Sequence, residues 1–342
     1  MRAMVLKQTV DLSNNSSPLE LVDWAKPQPK KNEVLLRVSR CGVCHTELDE
    51  IEGRAEPEKL PLIPGHQVVG YVEALGPDAA IHKKGDRLGV AWIYSACGKC
   101  KQCKNGNENL CEDFRATGWN EHGGYAEYMV VPEEFAYRIP EVFSDSEAAP
   151  LLCAGAVGYR SLRLTNLQNS QNLGLIGFGA SNHLVLKIAL YQYPDSKIFV
   201  FARNPDERRF AKKLGAEWAG NIDEKPPEKM DAIIDTTPVW RPVIEGLKNL
   251  DDAGRLVINA IRKENRDIQY LQNMNYPLHL WREKEIKSVA NVQRKDVKDF
   301  LEAAAKIPIK PTFEEYKLEE ANKALLEIKK SKIHGAKVLK LI

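Results

Sequence analysis

No stretch of this 342-residue sequence approaches the roughly 18 consecutive apolar residues of a membrane-spanning helix. The apolar run within residues 1–7 is also too short for a secretory signal peptide. The seven cysteines are an odd number, and four of them lie within residues 97–111, which favours metal binding in a reducing compartment over a disulfide framework. We therefore expect a soluble, cytoplasmic protein without a membrane partner.

The sequence also lacks an excess of either charge, since 49 basic residues stand against 47 acidic ones. A formal net charge of +2 gives no indication of a nucleic-acid partner. The apolar content of 43% is that of an ordinary globular protein. Because single hydrophobic cores rarely grow past about 250–300 residues, the length predicts two domains.

Residues 41–49 put two thiols, an imidazole, a hydroxyl and two carboxylates on one turn. His66, which follows a Pro-Gly turn, and Cys153 could complete a metal site with one of the two cysteines. Two thiolates and one imidazole leave the fourth position of a tetrahedral zinc open, which is typical of catalytic zinc. The spacing alone does not choose between Cys41 and Cys44. The alternative is a set of ordinary buried thiols with a core histidine.

A second group of thiols lies in a segment that we call the four-cysteine lobe, at about residues 92–113. Three cysteines recur at a spacing of three and a fourth follows eight residues later: Cys97, Cys100, Cys103 and Cys111. Four thiolates fill every position of a tetrahedral zinc, so the spacing predicts a closed, structural site. The alternative is a redox-active Cys-x-x-Cys pair, which the overlapping pairs and the fourth cysteine do not favour.

From about residue 170 the sequence alternates short apolar strands with helical patterns, which predicts a doubly wound parallel sheet. The first such strand, at residues 173–177, leads into an incomplete G-x-G-x-x-G motif: Gly177, Phe178, Gly179, Ala180, Ser181 and Asn182. The glycines allow a pyrophosphate to approach a helix N-terminus closely, so the motif predicts dinucleotide binding. Asn182 in place of the third glycine is expected to loosen the helix–strand packing slightly.

The second strand, at residues 197–202, ends without the acidic residue that would bind a ribose 2′-hydroxyl. Arg203 follows directly, and Arg208 and Arg209 lie one turn into the next helix. With no acid to repel it, a 2′-phosphate could bind Arg203, so the sequence favours NADP(H) over NAD(H). The alternative is that Arg203 is a solvated turn residue and that NAD(H) binds without an acidic anchor.

Together these motifs resemble those of the zinc-containing medium-chain dehydrogenases, most closely the bacterial zinc-binding alcohol dehydrogenases. The resemblance covers essentially the whole chain and rests on residues 42–46, 64–66, 97–111, 151–155 and 177–179. It implies an α/β fold in which a Rossmann domain is inserted into a GroES-like β-domain, with the active site in the cleft between them. The implied boundaries are 1–153 with 290–342 for the GroES-like catalytic domain and 154–289 for the Rossmann domain. Near the second boundary, residues 286–289 are expected to form a strand of the returning segment.

Carried over residue by residue, the resemblance assigns the catalytic zinc to Cys44, His66 and Cys153. Cys41 then becomes a nearby free thiol. Glu47 stands where the family has an acidic partner for the zinc-bound histidine, a contact that fixes the imidazole tautomer.

Further roles follow from the same resemblance. Thr46 matches the hydroxyl that takes the alcohol proton, and His45 matches a position that approaches the cofactor phosphates. Asp49 occupies the place where some members carry a histidine that finishes the proton relay to solvent. Trp92 falls where members place an aromatic residue that lines the substrate pocket, with simple core packing as the alternative.

Three further positions depart from the family pattern. Gln67 replaces the glutamate that usually follows the zinc-binding histidine, and Val157 stands where a threonine often touches the nicotinamide end. Ala336 stands where an arginine often meets the cofactor phosphates, although Lys337 is adjacent. These departures bear on cofactor affinity and substrate preference, and they leave the family assignment intact.

The implied function is a zinc-dependent alcohol dehydrogenase or aldehyde reductase that transfers hydride between a primary alcohol or aldehyde and NADP(H). It implies a catalytic and a structural zinc in each chain, and a homodimer or homotetramer. One alternative within enzymes is a zinc dehydrogenase of the cinnamyl-alcohol or polyol type. An alternative of another class is a non-catalytic redox sensor that binds zinc and a dinucleotide but needs no open metal position.

Overall fold

The structure, a computed structural model, describes residues 1–307, 309–330 and 335–342. The chain forms two compact units. The first unit comprises Met1–Cys153, Val292–Ala305 and Lys310–Ile342, and the second comprises Ala154–Asn291 and Lys306–Ile309. In the described ranges, no helix has the length and apolar character that crossing a membrane requires.

The N-terminal part of the first unit consists mainly of short strands. Its elements are β1 (Arg2–Leu6), β2 (Leu19–Asp23), β3 (Glu33–Val43), α1 (His45–Ile51), β4 (Val68–Leu75), β5 (Arg87–Val90), β6 (Ile93–Ser95), α2 (Lys101–Lys104), β7 (Arg115–Ala116), β8 (Tyr128–Pro132), β9 (Ala136–Arg138) and α3 (Asp145–Pro150). Short 3₁₀ helices lie at Glu108–Leu110 and Glu133–Phe135.

The second unit alternates strands and helices. Its elements are α4 (Ala156–Thr165), β10 (Leu173–Ile176), α5 (Asn182–Gln192), β11 (Ile198–Phe201), α6 (Pro205–Lys213), β12 (Trp218–Gly220), β13 (Met230–Asp235), α7 (Arg241–Asn249), β14 (Leu250–Ile258), a 3₁₀ helix (Asn265–Asn273), α8 (Tyr276–His279) and β15 (Glu285–Ser288). The chain then returns to the first unit with α9 (Arg294–Lys306), β16 (Phe313–Lys317), a 3₁₀ helix (Leu318–Glu320), α10 (Ala321–Lys329) and β17 (Ala336–Lys340).

The main sheet of the first unit is built around the long strand β3. Its order is β16-β17-β3-β4-β5-β9, and β8 also pairs with β3. β3 is antiparallel to β4, β8 and β17, and Val43 at its end lies opposite Lys337. The last strand of the chain therefore supports the strand that leads into Cys44.

The second unit contains a six-stranded, fully parallel sheet in the order β12-β11-β10-β13-β14-β15. Numbered along this unit, the order is 3-2-1-4-5-6, so the predicted doubly wound sheet is confirmed. The order reverses between β10 and β13, and such sheets bind ligands at the carboxyl ends of the strands at this point. Phe199, Phe201, Ile233 and Leu256 form part of its core and are fully buried.

The strand predicted at residues 286–289 belongs to a different sheet from the one expected. β15 pairs in parallel with β14, with Ile286 opposite Leu256, so it is the sixth strand of the second unit. The expectation that residues 286–289 belong to the returning segment is wrong, and β15 lies inside the range 154–289 that was expected for the Rossmann domain. All four residues of β15 are exposed, and such an edge position gives no apolar run that would mark the strand as part of a buried parallel sheet.

Candidate metal centres and dinucleotide turn

Cys44 sits at the N-cap of α1, directly after β3. Its sulfur accepts the N–H of Thr46 at 3.4 Å, and Glu47 Oε2 accepts the N–H of Cys44 at 2.8 Å. This pattern is a capping box in which a thiol takes the place of the usual hydroxyl. The reciprocal bonds fix the start of the helix and hence the direction of the Cys44 sulfur.

Cys153 lies in a π-helical turn, Leu151–Gly155, that follows α3. Ser144 and Glu147 form a capping box at the start of α3, and Pro150 ends it. Proline has no N–H to donate, and its ring crowds the preceding turn, so regular α-helical bonding is interrupted at this point. Single π-turns inside helices are frequent at functional sites.

The structure brings Cys44, His66 and Cys153 together. The distance from His66 Nε2 is 3.6 Å to Cys44 Sγ and 3.2 Å to Cys153 Sγ. The three ligand atoms lie within 4.8 Å of one another. Around a tetrahedral zinc, with bonds of about 2.3 Å to sulfur and 2.0–2.1 Å to nitrogen, sulfur and nitrogen are roughly 3.5 Å apart. The spacing of this donor set therefore fits zinc.

The charges around this site also favour a bound cation. The nearby Cys153 thiol and burial raise the pKa of Cys44 well above its usual value. Burial disfavours a charged imidazole, yet Glu47 and Cys44 raise the pKa of His66 well above its usual value. A divalent cation reverses such preferences because it stabilises thiolates and a neutral imidazole as ligands.

Glu47 is buried and makes a second contact that bears on the metal site. Its Oε1 lies 2.7 Å from Nδ1 of His66, and both side chains are almost completely buried. A proton on Nδ1 leaves Nε2 with the lone pair that faces the two sulfurs. One carboxylate therefore caps the helix that carries Cys44 and lies beside Nδ1 of His66, where its charge favours a proton on that nitrogen.

An aromatic pair lies beside His66. The ring of Trp92 meets the imidazole edge-on, with centroids 5.1 Å apart, and stacks on Trp119 at 6.2 Å. Trp92 is buried and Trp119 is half-buried. The Trp119 indole N–H donates to the carbonyl of Glu56 at 2.7 Å, which fixes the orientation of its ring.

The four-cysteine lobe brings its four thiols together in a separate cluster. The Sγ atoms of Cys97 and Cys103 are 3.9 Å apart, and those of Cys100 and Cys111 are 3.8 Å apart. A tetrahedral zinc with bonds of about 2.3 Å separates its sulfurs by roughly 3.8 Å, so the spacing fits zinc. Backbone N–H groups of Lys99 and Cys100 lower the pKa of Cys97 to about 7, whereas burial raises the pKa of Cys103 and that of Cys111. Of these three thiols, Cys97 therefore forms the thiolate that a metal requires most readily.

The segment of residues 177–181, which we call the dinucleotide turn, joins β10 to α5. Gly177 has a positive φ of 77°, and a Cβ there would lie 2.8 Å from Thr236 Oγ1, so the position requires glycine. Gly179 and Ala180 are exposed. Phe178 is buried against Phe210, with ring centroids 6.0 Å apart, so only its backbone could contact a cofactor.

Comparison with known proteins gives the family. Residues 30–141 match the alcohol dehydrogenase GroES-like domain. The chain is 41% identical over 330 residues to the probable alcohol dehydrogenase AdhA of Mycobacterium tuberculosis, covering 95% of this chain and 93% of that protein. It is 32% identical over 333 residues to an alcohol dehydrogenase of Geobacillus stearothermophilus, covering 94% and 96%. The chain belongs to the zinc-containing medium-chain alcohol dehydrogenase family.

Solved structures agree on the fold of this alcohol dehydrogenase family member. A cinnamyl alcohol dehydrogenase from Sorghum bicolor has a TM-score of 0.86 at 24% identity, covering 99% of this chain and 97% of that one. An alcohol dehydrogenase from Aeropyrum pernix has a TM-score of 0.85 at 22% identity, covering 100% of both chains. The predicted combination of a GroES-like β-domain and a Rossmann sheet is confirmed. The redox-sensor alternative is not favoured.

The two arginines predicted near the cofactor differ in their surroundings. Arg203 is exposed, directly after β11. Arg208 is half-buried, and its Nη1 donates to the carbonyl oxygens of Ala202 and Arg203 at 2.9 and 3.0 Å. Arg208 therefore holds the backbone that carries Arg203, and a direct contact with a phosphate stays a prediction.

The remaining predicted residues of α1 lie in three different environments. His45 is exposed, and Thr46 is half-buried. Asp49 is buried, and its Oδ1 accepts from Arg54 Nε at 2.5 Å. A proton relay through Asp49 would have to displace this contact with Arg54. The relay stays a prediction.

Lys337 is the basic residue next to the position of the family arginine, and its ammonium is engaged within the protein. Its side chain is only 3% exposed. Its ammonium contacts Glu314, donates to Tyr316 Oη at 2.7 Å and pairs with Glu327 at 2.8 Å. Burial alone would favour a neutral amine, yet these partners raise the pKa of Lys337. The residue holds the C-terminal strands together.

Sequence reasoning missed Glu50, which is fully buried on α1. Neither of its carboxylate oxygens has a hydrogen-bond partner among the described residues. Burial, reinforced by the charge of Glu47, raises the pKa of Glu50 well above its usual value. A glutamate among charged residues on a short helix gives no sequence signal of burial. Trp119 was missed for a similar reason, because its contact with Trp92 depends on the folding of residues far apart in sequence.

Proposed function

We propose that this protein is a zinc-dependent alcohol dehydrogenase that interconverts a small alcohol and the corresponding aldehyde with NADP(H). The observation that carries the proposal is the three-ligand set of Cys44, His66 and Cys153, beside a separate set of four thiols. Three protein ligands are typical of a catalytic zinc with an open position, and four of a structural zinc. The identity to alcohol dehydrogenases over nearly the whole chain supports the same activity.

The chain's own residues have distinct tasks in this proposal. Cys44, His66 and Cys153 hold the catalytic zinc, and Glu47 keeps the lone pair of His66 Nε2 directed at it. Thr46 Oγ1 takes the proton of the substrate hydroxyl as its own hydroxyl proton passes on to solvent. Bound zinc would supply Lewis-acid polarisation of the substrate oxygen, and a bound nicotinamide would supply or accept hydride. The two domains assigned to these tasks are residues 1–153 with 290–342 and residues 154–289.

A preference for NADP(H) over NAD(H) is part of the proposal. It is supported by the absence of an acidic residue at the end of β11 and by the exposed Arg203 in its place. The contacts of Arg208 with the carbonyl oxygens of Ala202 and Arg203 support a fixed backbone there. A fixed backbone reduces the ordering cost when Arg203 binds a phosphate.

We propose an aromatic aldehyde or alcohol as the preferred substrate class. The half-buried Trp119 stacks on Trp92, whose ring packs against the ligand His66. A flat aromatic surface beside the metal ligands favours a ring on the substrate over a short alkyl chain. Polyols, which need hydrogen-bond partners, are disfavoured by the same surface.

A homodimer through β15 is the oligomeric state that we propose, with the tetramer as an alternative. β15 ends the six-stranded sheet, and the side chain of Ile286 on this strand is exposed. Nearby in sequence, Tyr276 and Trp281 are exposed by 59% and 55%, with ring centroids 5.8 Å apart. An edge strand flanked by exposed aromatics is prone to pair with another strand. A cytoplasmic location stays a prediction that rests on the free cysteines.

The experiment that tests the function follows the absorbance of NADPH and of NADH as purified protein is mixed with aldehydes. Benzaldehyde and cinnamaldehyde represent the aromatic class, and butanal the aliphatic one. We expect aldehyde-dependent oxidation, faster with NADPH and with the aromatic aldehydes, that stops after the zinc is removed by a chelator and returns with added zinc. Cofactor binding without turnover on any aldehyde would contradict the proposal.

A further inference from the structure

Asn182 occupies the place of the third glycine in the nucleotide-binding motif, and its side chain is fully buried at the start of α5. Its Nδ2 donates to the carbonyl oxygen of Gly177 at 2.7 Å and to that of Ile176 at 3.1 Å. It also lies 3.3 Å from Oγ1 of Thr236. Oxygens of three residues surround this one atom, and the two carbonyl oxygens among them can only accept, which assigns the atom as the amide nitrogen.

The surroundings of Asn182 connect two strands of the sheet. In the parallel pair β10–β13, Ile176 lies opposite Asp235, so Thr236 is the first residue beyond the sheet beside Gly177. Thr236 N–H and Oγ1 both contact the carbonyl oxygen of Ile176, at 3.0 and 3.1 Å. The Asn182 amide therefore bonds to the ends of both strands at the point where the strand order reverses.

Stability alone does not account for an asparagine at this position. Its Oδ1 is buried and has no hydrogen-bond partner among the described residues. A buried polar atom without a partner is unfavourable for folding. The role of the amide therefore lies in its nitrogen, which donates hydrogen bonds to the backbone of the dinucleotide turn.

We propose that Asn182 is a positioning residue for the cofactor pyrophosphate. It holds the carbonyl oxygens of residues 176 and 177 on the protein side, so that the N–H groups of the first turn of α5 face the anion. Helix N-termini bind phosphates through such N–H groups, and a carbonyl oxygen directed at the phosphate would repel it. Here a hydrogen-bonded side chain does what close packing of a third glycine does in the complete motif. This inference rests on the proposed function.

The test uses two variants of Asn182. Asn182→Leu has a side chain of similar size without a hydrogen-bond donor. Asn182→Ala provides the measurement if the leucine variant does not fold. Asn249→Leu and Asn249→Ala are the matched controls. Asn249 lies at the end of α7 and donates to a backbone carbonyl of its own helix, that of Glu245 at 3.4 Å. Kd for NADPH is measured by fluorescence titration, together with KM for NADPH, kcat and zinc content.

We expect both Asn182 variants to weaken NADPH binding by about five- to tenfold, the effect of losing one or two hydrogen bonds. KM for NADPH rises by the same factor, whereas kcat at saturating NADPH and the zinc content stay at the parent values. A residue that served only the fold would lower the active fraction and hence the apparent kcat. Thr236→Val, which removes the shared hydroxyl, is expected to be non-additive with Asn182→Ala.

The outcomes separate this inference from the function on which it rests. Parent protein that binds neither NADPH nor NADH would overturn both. If the parent protein binds NADPH and the Asn182 variants bind it as tightly as the Asn249 controls do, only the positioning role of Asn182 is overturned.

Discussion

Nδ1 of His66 lies 2.7 Å from Oε1 of Glu47, and the other oxygen of the same carboxylate accepts the N–H of Cys44 at 2.8 Å. One buried side chain therefore reaches two members of the proposed zinc ligand set. The capping contact orients the helix that carries the thiol, and the nearby carboxylate charge favours the imidazole tautomer with its proton on Nδ1. Removal of this carboxylate should disturb both ligands at once.

Replacement of Glu47 by glutamine keeps the size of the side chain but removes the negative charge. We expect Glu47→Gln to lower zinc affinity or activity by about 10- to 100-fold, as is usual when the partner of a zinc-bound histidine is lost. The four-thiol zinc should be unaffected. Chelator-competition titrations measure both zinc ions, and Glu52→Gln, an exchange just beyond the same helix, is the control. Equal zinc loss from the two variants would argue against the role of Glu47.

Because Glu50 is buried, we expect the stability of the protein to depend on pH. Burial raises the pKa of Glu50 in the folded protein well above its ordinary value of 4.5, so the folded state keeps a proton that the unfolded chain releases. Below about pH 4.5 the group is protonated in both states. As the pH rises towards the folded pKa, stability falls by up to about 1.4 kcal/mol per pH unit.

Glu50→Gln removes this ionisation while it keeps the side-chain size. We expect the variant to gain stability relative to the parent as the pH rises from 5 to 8, with the smallest difference at pH 5. Urea unfolding across this range gives the comparison. Curves for variant and parent that run parallel in pH would show that Glu50 does not remain protonated in the folded state.

We expect replacement of Arg203 to weaken the binding of one cofactor, NADPH, and not of the other. Arg203→Ala should raise the Kd for NADPH by about tenfold or more, because a charge-assisted bond to phosphate contributes about 1.5–3 kcal/mol. Binding of NADH should stay unchanged. Arg209→Ala is the control, since Arg209 is a nearby exposed arginine that pairs with Asp206 on its own helix. Equal weakening of NADPH and NADH would remove the basis for an NADP(H) preference.

We expect replacement of Lys337 to lower the stability of the protein without lowering its affinity for the cofactor. Lys337→Met removes a buried ammonium and its contacts with Glu327 and Tyr316, whereas the hydrogen bond that Tyr316 Oη donates to Glu327 Oε2 at 2.6 Å remains. We expect a decrease of about 1–3 kcal/mol in the free energy of unfolding from the lost hydrogen bonds, because the side chains of Glu314 and Glu327 are 55% and 27% exposed and keep contact with solvent. Lys340→Met, an exposed exchange on β17, should change it by less than about 0.5 kcal/mol. An unchanged unfolding free energy together with a raised KM for NADPH would instead favour a phosphate contact.

Local signals in the sequence predicted much of this fold. Asn204 as N-cap with Pro205 at the first helical position marks the start of α6, and Ser144 with Glu147 marks that of α3. These features depend on neighbours within four residues. The alternation of strands and helices was sufficient to predict the parallel sheet, because each βαβ unit has a regular length.

Other features depend on contacts between residues far apart in the chain. The sheet to which β15 belongs, the burial of Glu50 and the stacking of Trp119 on Trp92 have no local signature. From the motif we expected Asn182 only to loosen the helix–strand packing slightly, and the hydrogen bonds from its amide to the carbonyl oxygens of Ile176 and Gly177 were not predicted. In each case the partner is set by tertiary packing, which overrides local preference.

Zinc stoichiometry measured together with activity in Cys153→Ser tests the central claim most directly. Parent protein should hold about two zinc ions per chain and oxidise NADPH in the presence of aldehyde, since three- and four-ligand sites are both present. Cys153→Ser should keep about one zinc and lose turnover, whereas Cys41→Ala, a change at the nearby thiol outside the ligand set, should keep both. Cys153→Ser protein that retains two zinc ions and full turnover would contradict the account.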